Sequence, residues 1–192
     1  MPPIRLDIGS SFSKLTGYIG IDVLPSKGVD IVADACNLPI KTSCVAEIYS
    51  SYCLEHIFDQ LAVIQEIHRV CQPDANVRLI LPHFSNPSYY DDLTHHKLYS
   101  ARSFEHFDQA LHTLTGYPNY LPQINLKTLS AELRWWPPQV IERKKPIRRT
   151  LLKILNAIIN RLANAYPFFC ERIWCRWVGG FYEIDFNLKV VK

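Results

Sequence analysis

The sequence is short of several features, and each shortage removes a class of function. No apolar run approaches the ~18 residues that a membrane-spanning helix needs, so no span is expected. No basic stretch leading into an apolar core stands at the N-terminus, so no secretory signal is read, and a cytoplasmic location is expected. The six cysteines, at positions 36, 44, 53, 71, 170 and 175, form no Cys-x-x-Cys pair. They read as buried thiols rather than zinc ligands, and no metal site is expected. Internal repeats and low-complexity tracts are missing as well. Charge of one sign is scarce: the net value is +3, and it is unevenly spread. Residues Glu142 to Arg161 carry seven Lys or Arg against one acid, which leaves the rest of the chain slightly acidic. That is not the broad basic footprint of a specific nucleic-acid binder.

What is present alternates between two periodicities. Ile4–Gly9, Tyr18–Val23 and Val29–Ala33 are short, rich in Ile and Val, and bounded by Gly, Ser or Pro. Such runs suit parallel strands covered on both faces. Cys44–Cys53 holds a fourth strand and Asn76–Pro82 a fifth. Between them, Leu61, Ile64, Ile67, His68 and Cys71 recur at helical spacing, and Gln72-Pro73-Asp74 ends that helix. A helix is expected over Ser103–Leu111, a strand over Ile124–Trp136, and a last strand over Tyr182–Val191. The residues expected to link strands one and two, Ser10 to Gly17, are too few for a normal crossover helix. The expected fold is one α/β domain over residues 1–192. Residues 84–123 form a lid-like insertion, and residues 144–166 form a basic amphipathic helix. On that helix Leu151, Ile154, Leu155, Ile158, Ile159 and Leu162 share a face, expected to pack on the sheet with the charges outward.

In an open α/β sheet, ligands bind beyond the carboxyl ends of the strands. Those ends carry Asp7 to Gly9, Asp22, Asp34 and Ser50 to Tyr52. A carboxylate at the end of strand two can accept hydrogen bonds from both hydroxyls of a ribose. The first loop holds one glycine, Gly9, and no helix follows it to receive phosphates. A dinucleotide is therefore disfavoured. An adenosine-bearing ligand without phosphate fits better, and S-adenosyl-L-methionine is such a ligand.

The segments "LDIGSS", "GYIGIDV", "GVDIVADACNLPI", "AEIYSSYCLEHI" and "VIQEIHRVCQPDANVRLILPHF", in that order, resemble the class I S-adenosylmethionine-dependent methyltransferases. More narrowly they look like the small bacterial methyltransferase-domain (type 11-like) proteins. The resemblance covers about residues 4–107. It implies a Rossmann-like class I methyltransferase sheet, mostly parallel, with an antiparallel C-terminal strand and a shortened or missing first crossover helix. It also implies a cofactor set. Gly9 would pass under the methionine moiety, with Asp7 orienting its amino group and Ser50 and Ser51 lining that side. Asp22 would hold the ribose. Asp34, Ala35 and Leu38 would face the adenine. Glu55 and His56 fall in the "LEHI" segment, where packing and catalysis both remain open.

Three departures from the family pattern stand out. Ser11 occupies the position of the usual second glycine, Cys71 to Ala75 replace a Leu-Lys-Pro-Gly-Gly turn, and no helix precedes strand one. The last of these leads to the expectation that the pocket is either more open or completed by a partner chain, in a homo- or hetero-oligomer.

For the reaction itself, the segment after strand five offers His83, Asp92 and His95 as candidate catalytic groups, a His–carboxylate pair being able to act as a base. The acceptor is expected to be a small molecule or a glycan. The segment Ser50-Ser51-Tyr52-Cys53 lacks the Asn-Pro-Pro-Tyr type of motif seen in nucleic-acid methyltransferases. Residues 143–161 beside Trp135 and Trp136 are candidates for peripheral contact with the inner membrane face. The alternative reading is a non-catalytic protein of the same fold acting as a binding or regulatory partner.

Overall fold

The computed structural model describes residues 3–111 and 123–192. A seven-stranded sheet organises them. Its strands are β1 (Ile4–Ile8), β2 (Ile19–Asp22), β3 (Ile31–Val32), β4 (Val45–Ser51), β5 (Cys71–Pro82), β6 (Leu126–Arg134) and β7 (Glu183–Val190). Their spatial order is β3-β2-β1-β4-β5-β7-β6. β1 to β5 pair in parallel, while β7 inserts antiparallel between β5 and β6. The chain reverses direction between β1 and β4, which are sheet neighbours, and a crevice opens at that switch point.

The described residues include the helices α1 (Gln60–Val70), α2 (Pro138–Glu142) and α3 (Pro146–Ala165), and a further helical run with a π-helical centre follows from Pro167 to Trp177. Asp59 caps α1 by accepting the Ala62 N–H at 2.9 Å. α1 buries Val63, Ile64, Ile67 and Val70 beside the sheet. Each fully buried aliphatic side chain of this kind contributes ~1.5–3 kcal/mol. Leu61, expected on that face, is instead largely exposed. The first crossover, between Ile8 and Ile19, contains no helix.

Several local expectations are corrected. β5 begins at Cys71, not Asn76. Cys71 pairs with Val45 and Asn76 pairs with Glu47, so the residues between form an excursion within the strand. Asp74, at a φ of 63°, turns that excursion. The helix expected over Ser103–Leu111 is broken into a 3-10 turn, Glu105–Phe107, and helical residues 109–111. The Ser103 hydroxyl accepts the Ser100 N–H. The Asp108 carboxylate accepts the N–H groups of Ala110 and Thr128, tying the break to β6. The remainder of the expected lid, residues 112–122, lies outside the described residues.

The largest correction concerns α3. Leu151, Ile154, Ile158 and Leu162 are each more than half exposed. The face turned to the protein carries Asn156, Asn160 and Asn164, one per turn. The Asn164 amide accepts Leu133 N at 2.7 Å and donates to Leu133 O at 3.0 Å. Asn160 accepts Trp135 N at 2.8 Å, and Asn156 exchanges hydrogen bonds with both backbone groups of Trp136. β6 is the sheet's last strand, so its outer edge presents unpaired amides. Asn164 satisfies that edge at Leu133, and Asn160 and Asn156 continue the row along Trp135 and Trp136, just beyond the strand.

Candidate functional site

The loops after β1, β2, β3 and β4 enclose a cavity of about 820 Å³. Its wall includes Gly9, Ser11, Asp22, Asp34 and Ala35, with Tyr52, Cys53, His56 and Phe58 opposite. The first strand's loop is shaped by Gly9, whose φ is 78° and whose N–H donates to Ile21 O at 2.8 Å. A Cβ built there would lie 2.4 Å from that of Cys53, so the chains can pass only if this residue has no side chain. Ser11 follows in the left-handed region at a φ of 43°.

Asp22 ends β2 with its carboxylate at the cavity. Oδ2 accepts Ser11 N and Oδ1 accepts Leu24 N, each at 3.1 Å. Each oxygen retains a lone pair for a further donor. Asp34 is held similarly, accepting Cys36 N at 2.8 Å. Across the cavity, Tyr52 sits at a φ of 52° and its hydroxyl donates to the buried Glu183 carboxylate. Burial, reinforced by Glu183, raises the Tyr52 pKa well above the usual phenol range, which keeps it a donor. Glu183 also pairs with Arg134 at 3.1 Å. Burial pushes the Cys53 thiol up to about 12, so it is a protonated wall group rather than a nucleophile.

The remaining sequence candidates fall elsewhere. Asp7 is buried behind the loop and accepts Leu15 N at 2.8 Å. Ser50 is buried and bonds across to Ile8 O at 2.8 Å. Leu38 is a core residue whose N–H donates to Glu66. Ser51 pairs in the sheet beside Ile80. None of these four is part of the cavity wall. His83 is buried, with its ring nitrogens at Ser85 Oγ (2.5 Å) and Glu171 (3.2 Å). It joins the base of the expected lid to the C-terminal helical segment, away from the cavity. Asp92 and His95 lie close to it through His56. The Asp92 carboxylate accepts the Thr94 hydroxyl, and Thr94 Oγ1 meets His56 Nδ1 at 2.7 Å. The His56 and His95 ring centroids are 4.6 Å apart. Tyr52 was named from sequence only as the end of the Ser50 to Tyr52 segment, and Cys53 and Phe58 were not named as site residues. Only their place just after β4 could have indicated them.

A family model described as a methyltransferase domain matches residues 14–79, about a third of the chain. The strand order and the switch-point cavity agree with it. The fold is that of a class I S-adenosylmethionine-dependent methyltransferase. Among solved structures, the YcgJ protein of Bacillus subtilis superposes with a TM-score of 0.55 at 17% identity, over 99% of this chain and 92% of its own. The Haemonchus contortus phosphoethanolamine N-methyltransferase 2, in complex with phosphomonomethylethanolamine and S-adenosylhomocysteine, superposes with a TM-score of 0.51 at 16% identity. That match covers 98% of this chain but 48% of the nematode protein, so the chain spans about half its length. A methyltransferase of Archaeoglobus fulgidus gives a TM-score of 0.51 at 15% identity, covering 98% and 86% of the two chains. No curated protein matches the sequence.

Proposed function

We propose that this methyltransferase-fold chain binds S-adenosylmethionine in the switch-point cavity and transfers its methyl group to a small-molecule or glycan-type acceptor. The observation that carries this reading is Asp22: a carboxylate at the end of β2, in the cavity wall, with an acceptor position free on each oxygen. A vicinal diol is its natural partner. Gly9 gives the methionine moiety close access to backbone, and Asp34 and Ala35 face the adenine. Asp7, Leu38, Ser50 and Ser51 hold the strands and loops that shape this wall. The sulfonium of the cofactor supplies the activated methyl carbon. The protein's share is to hold the acceptor atom ~3–3.5 Å from that carbon, in line with the departing sulfur. His95 and Asp92 act behind His56 on the acceptor side, with His83 fixing the base of the same segment.

Calorimetric titration with S-adenosylhomocysteine tests this. Binding that Asp22→Ala weakens by at least about tenfold supports the reading; each lost charge-assisted hydrogen bond costs ~1.5–3 kcal/mol. A well-folded protein with no binding overturns it in favour of a non-catalytic partner protein.

The finer location follows from α3. No helix among the described residues is long and apolar enough to cross a membrane. Yet α3 turns Leu151, Ile154, Ile158 and Leu162 outward, flanked by Arg148 and Arg161, with exposed Phe168, Phe169 and Trp177 beyond its end. An apolar stripe edged by cations suits an anionic lipid surface on the cytoplasmic side. Flotation with vesicles of phosphatidylglycerol and phosphatidylcholine is expected to carry the protein upward, and Leu151→Ser with Ile158→Ser to abolish it. A stable dimer by light scattering, with no flotation, assigns the stripe to a second copy instead.

A further inference from the structure

Glu55 belongs to the 3-10 turn Leu54–His56 that follows β4. Its side chain is fully buried, and neither carboxylate oxygen has a hydrogen-bond partner. A buried carboxylate without a hydrogen-bond partner calls for a positive or proton-donating group beside it. Two imidazoles stand close to it. One ring nitrogen each from His56 and His95 and one oxygen of Glu55 lie within 4.8 Å of one another.

The hydrogen bonds behind these rings fix their tautomers. His95 Nδ1 is 2.8 Å from the Tyr89 carbonyl, which can only accept, so Nδ1 carries the proton. The Thr94 hydroxyl gives its proton to Asp92 at 2.7 Å, so it accepts from His56 Nδ1. In its neutral form each ring therefore carries its lone pair on Nε2. Two imidazoles and a carboxylate come together, each imidazole held from behind by a carbonyl or a hydroxyl–carboxylate relay. That backing is the arrangement found around metal-ligating histidines.

We propose that Glu55, His56 and His95 form a binding site for one divalent transition-metal cation of the Zn²⁺ or Mn²⁺ class at the rim of the cofactor cavity. Two imidazoles and one carboxylate suit such ions, and three protein ligands leave positions open for water or an oxygen-bearing acceptor. His56 lines the cavity, so the cation stands at the wall from which an acceptor would approach. The cation site does not depend on methyl transfer.

The test uses the full chain, stripped with a chelator and then desalted after incubation with Zn²⁺ or Mn²⁺, without cofactor. Elemental analysis is expected to find about one equivalent retained. Titration calorimetry is expected to show affinity falling at least about tenfold in His95→Ala and in the near-isosteric Glu55→Gln. His68→Ala, on α1 and bonded to Val191 O, is expected to bind as the parent does. Circular dichroism verifies that each variant is folded. If no metal is retained, or if Glu55→Gln and His95→Ala retain it as the parent does, the site is refuted. Because S-adenosylhomocysteine is titrated separately, failure here leaves the cofactor reading standing, and the converse also holds.

Discussion

The backbone N–H of Ser11 donates to the Asp22 carboxylate at 3.1 Å from a left-handed conformation, with a φ of 43°. The acid that faces the cavity is thus aimed by a residue whose own backbone is strained. For a residue with a Cβ, that conformation costs ~1–2 kcal/mol. Ser11→Gly keeps the N–H and removes the strain. The expected result is a gain of ~1 kcal/mol in urea unfolding, with S-adenosylhomocysteine affinity unchanged. A loss of stability would mean that the serine hydroxyl contributes more than its backbone costs.

Gly9→Ala is expected to go the other way. The residue is held at a φ of 78°, and an added Cβ would sit 2.4 Å from Cys53 Cβ. Backbone strain and overpacking each cost ~1–3 kcal/mol, so thermal unfolding should drop steeply. Adding Cys53→Gly relieves the contact but not the dihedral, so only part of the loss should return. Full recovery would show that the steric contact alone matters.

Asp7 is buried, and desolvation raises its pKa above 3.8 even though Leu15 N–H opposes the shift. The folded state therefore holds its proton to higher pH than the unfolded state does. Its ionisation lowers stability progressively as pH rises from the unfolded value through the folded one. Asp7→Asn retains an oxygen for Leu15 N–H and cannot ionise. It should match the parent at about pH 3 and exceed it at about pH 7, measured by urea unfolding at both. Equal stability at neutral pH would contradict the burial of this charge.

Asn164→Ala removes two hydrogen bonds to the backbone of Leu133. The expected cost is ~1–3 kcal/mol, because the edge amide and carbonyl lose their partner. Amide exchange at Leu133 should accelerate. Asn164→Asp keeps the acceptor for Leu133 N and should lose less. An unchanged exchange rate in Asn164→Ala would show that water replaces the side chain without penalty.

Part of the cavity wall was legible before the structure. Gly9, Asp22, Asp34 and Ala35 all line one cavity, because a strand's carboxyl end is fixed once its apolar run is recognised. Asp7, Ser50 and Leu38 were also placed beside the ligand, but they are buried groups bonded to the scaffold. Sequence position brings a residue to the strand end; it does not say whether its side chain turns toward the cavity or behind it. Ser103–Leu111 failed as a helix because Asp108 bonds to β6 as well as to its own turn, a competition invisible to local spacing.

The sequence alone determined the alternation of strands and α1, the missing first crossover helix and the two-faced character of α3. These follow from apolar periodicity and from the number of residues between strands. The tertiary structure decided which face of α3 meets the protein. Periodicity separates an apolar stripe from an asparagine row, but only the open backbone groups of Leu133, Trp135 and Trp136 make the asparagines the inward one. It also decided that His95 meets Glu55 and His56 across about forty residues of chain. That meeting depends on where the segment after β5 folds back over β4, and no spacing within the chain encodes that distance.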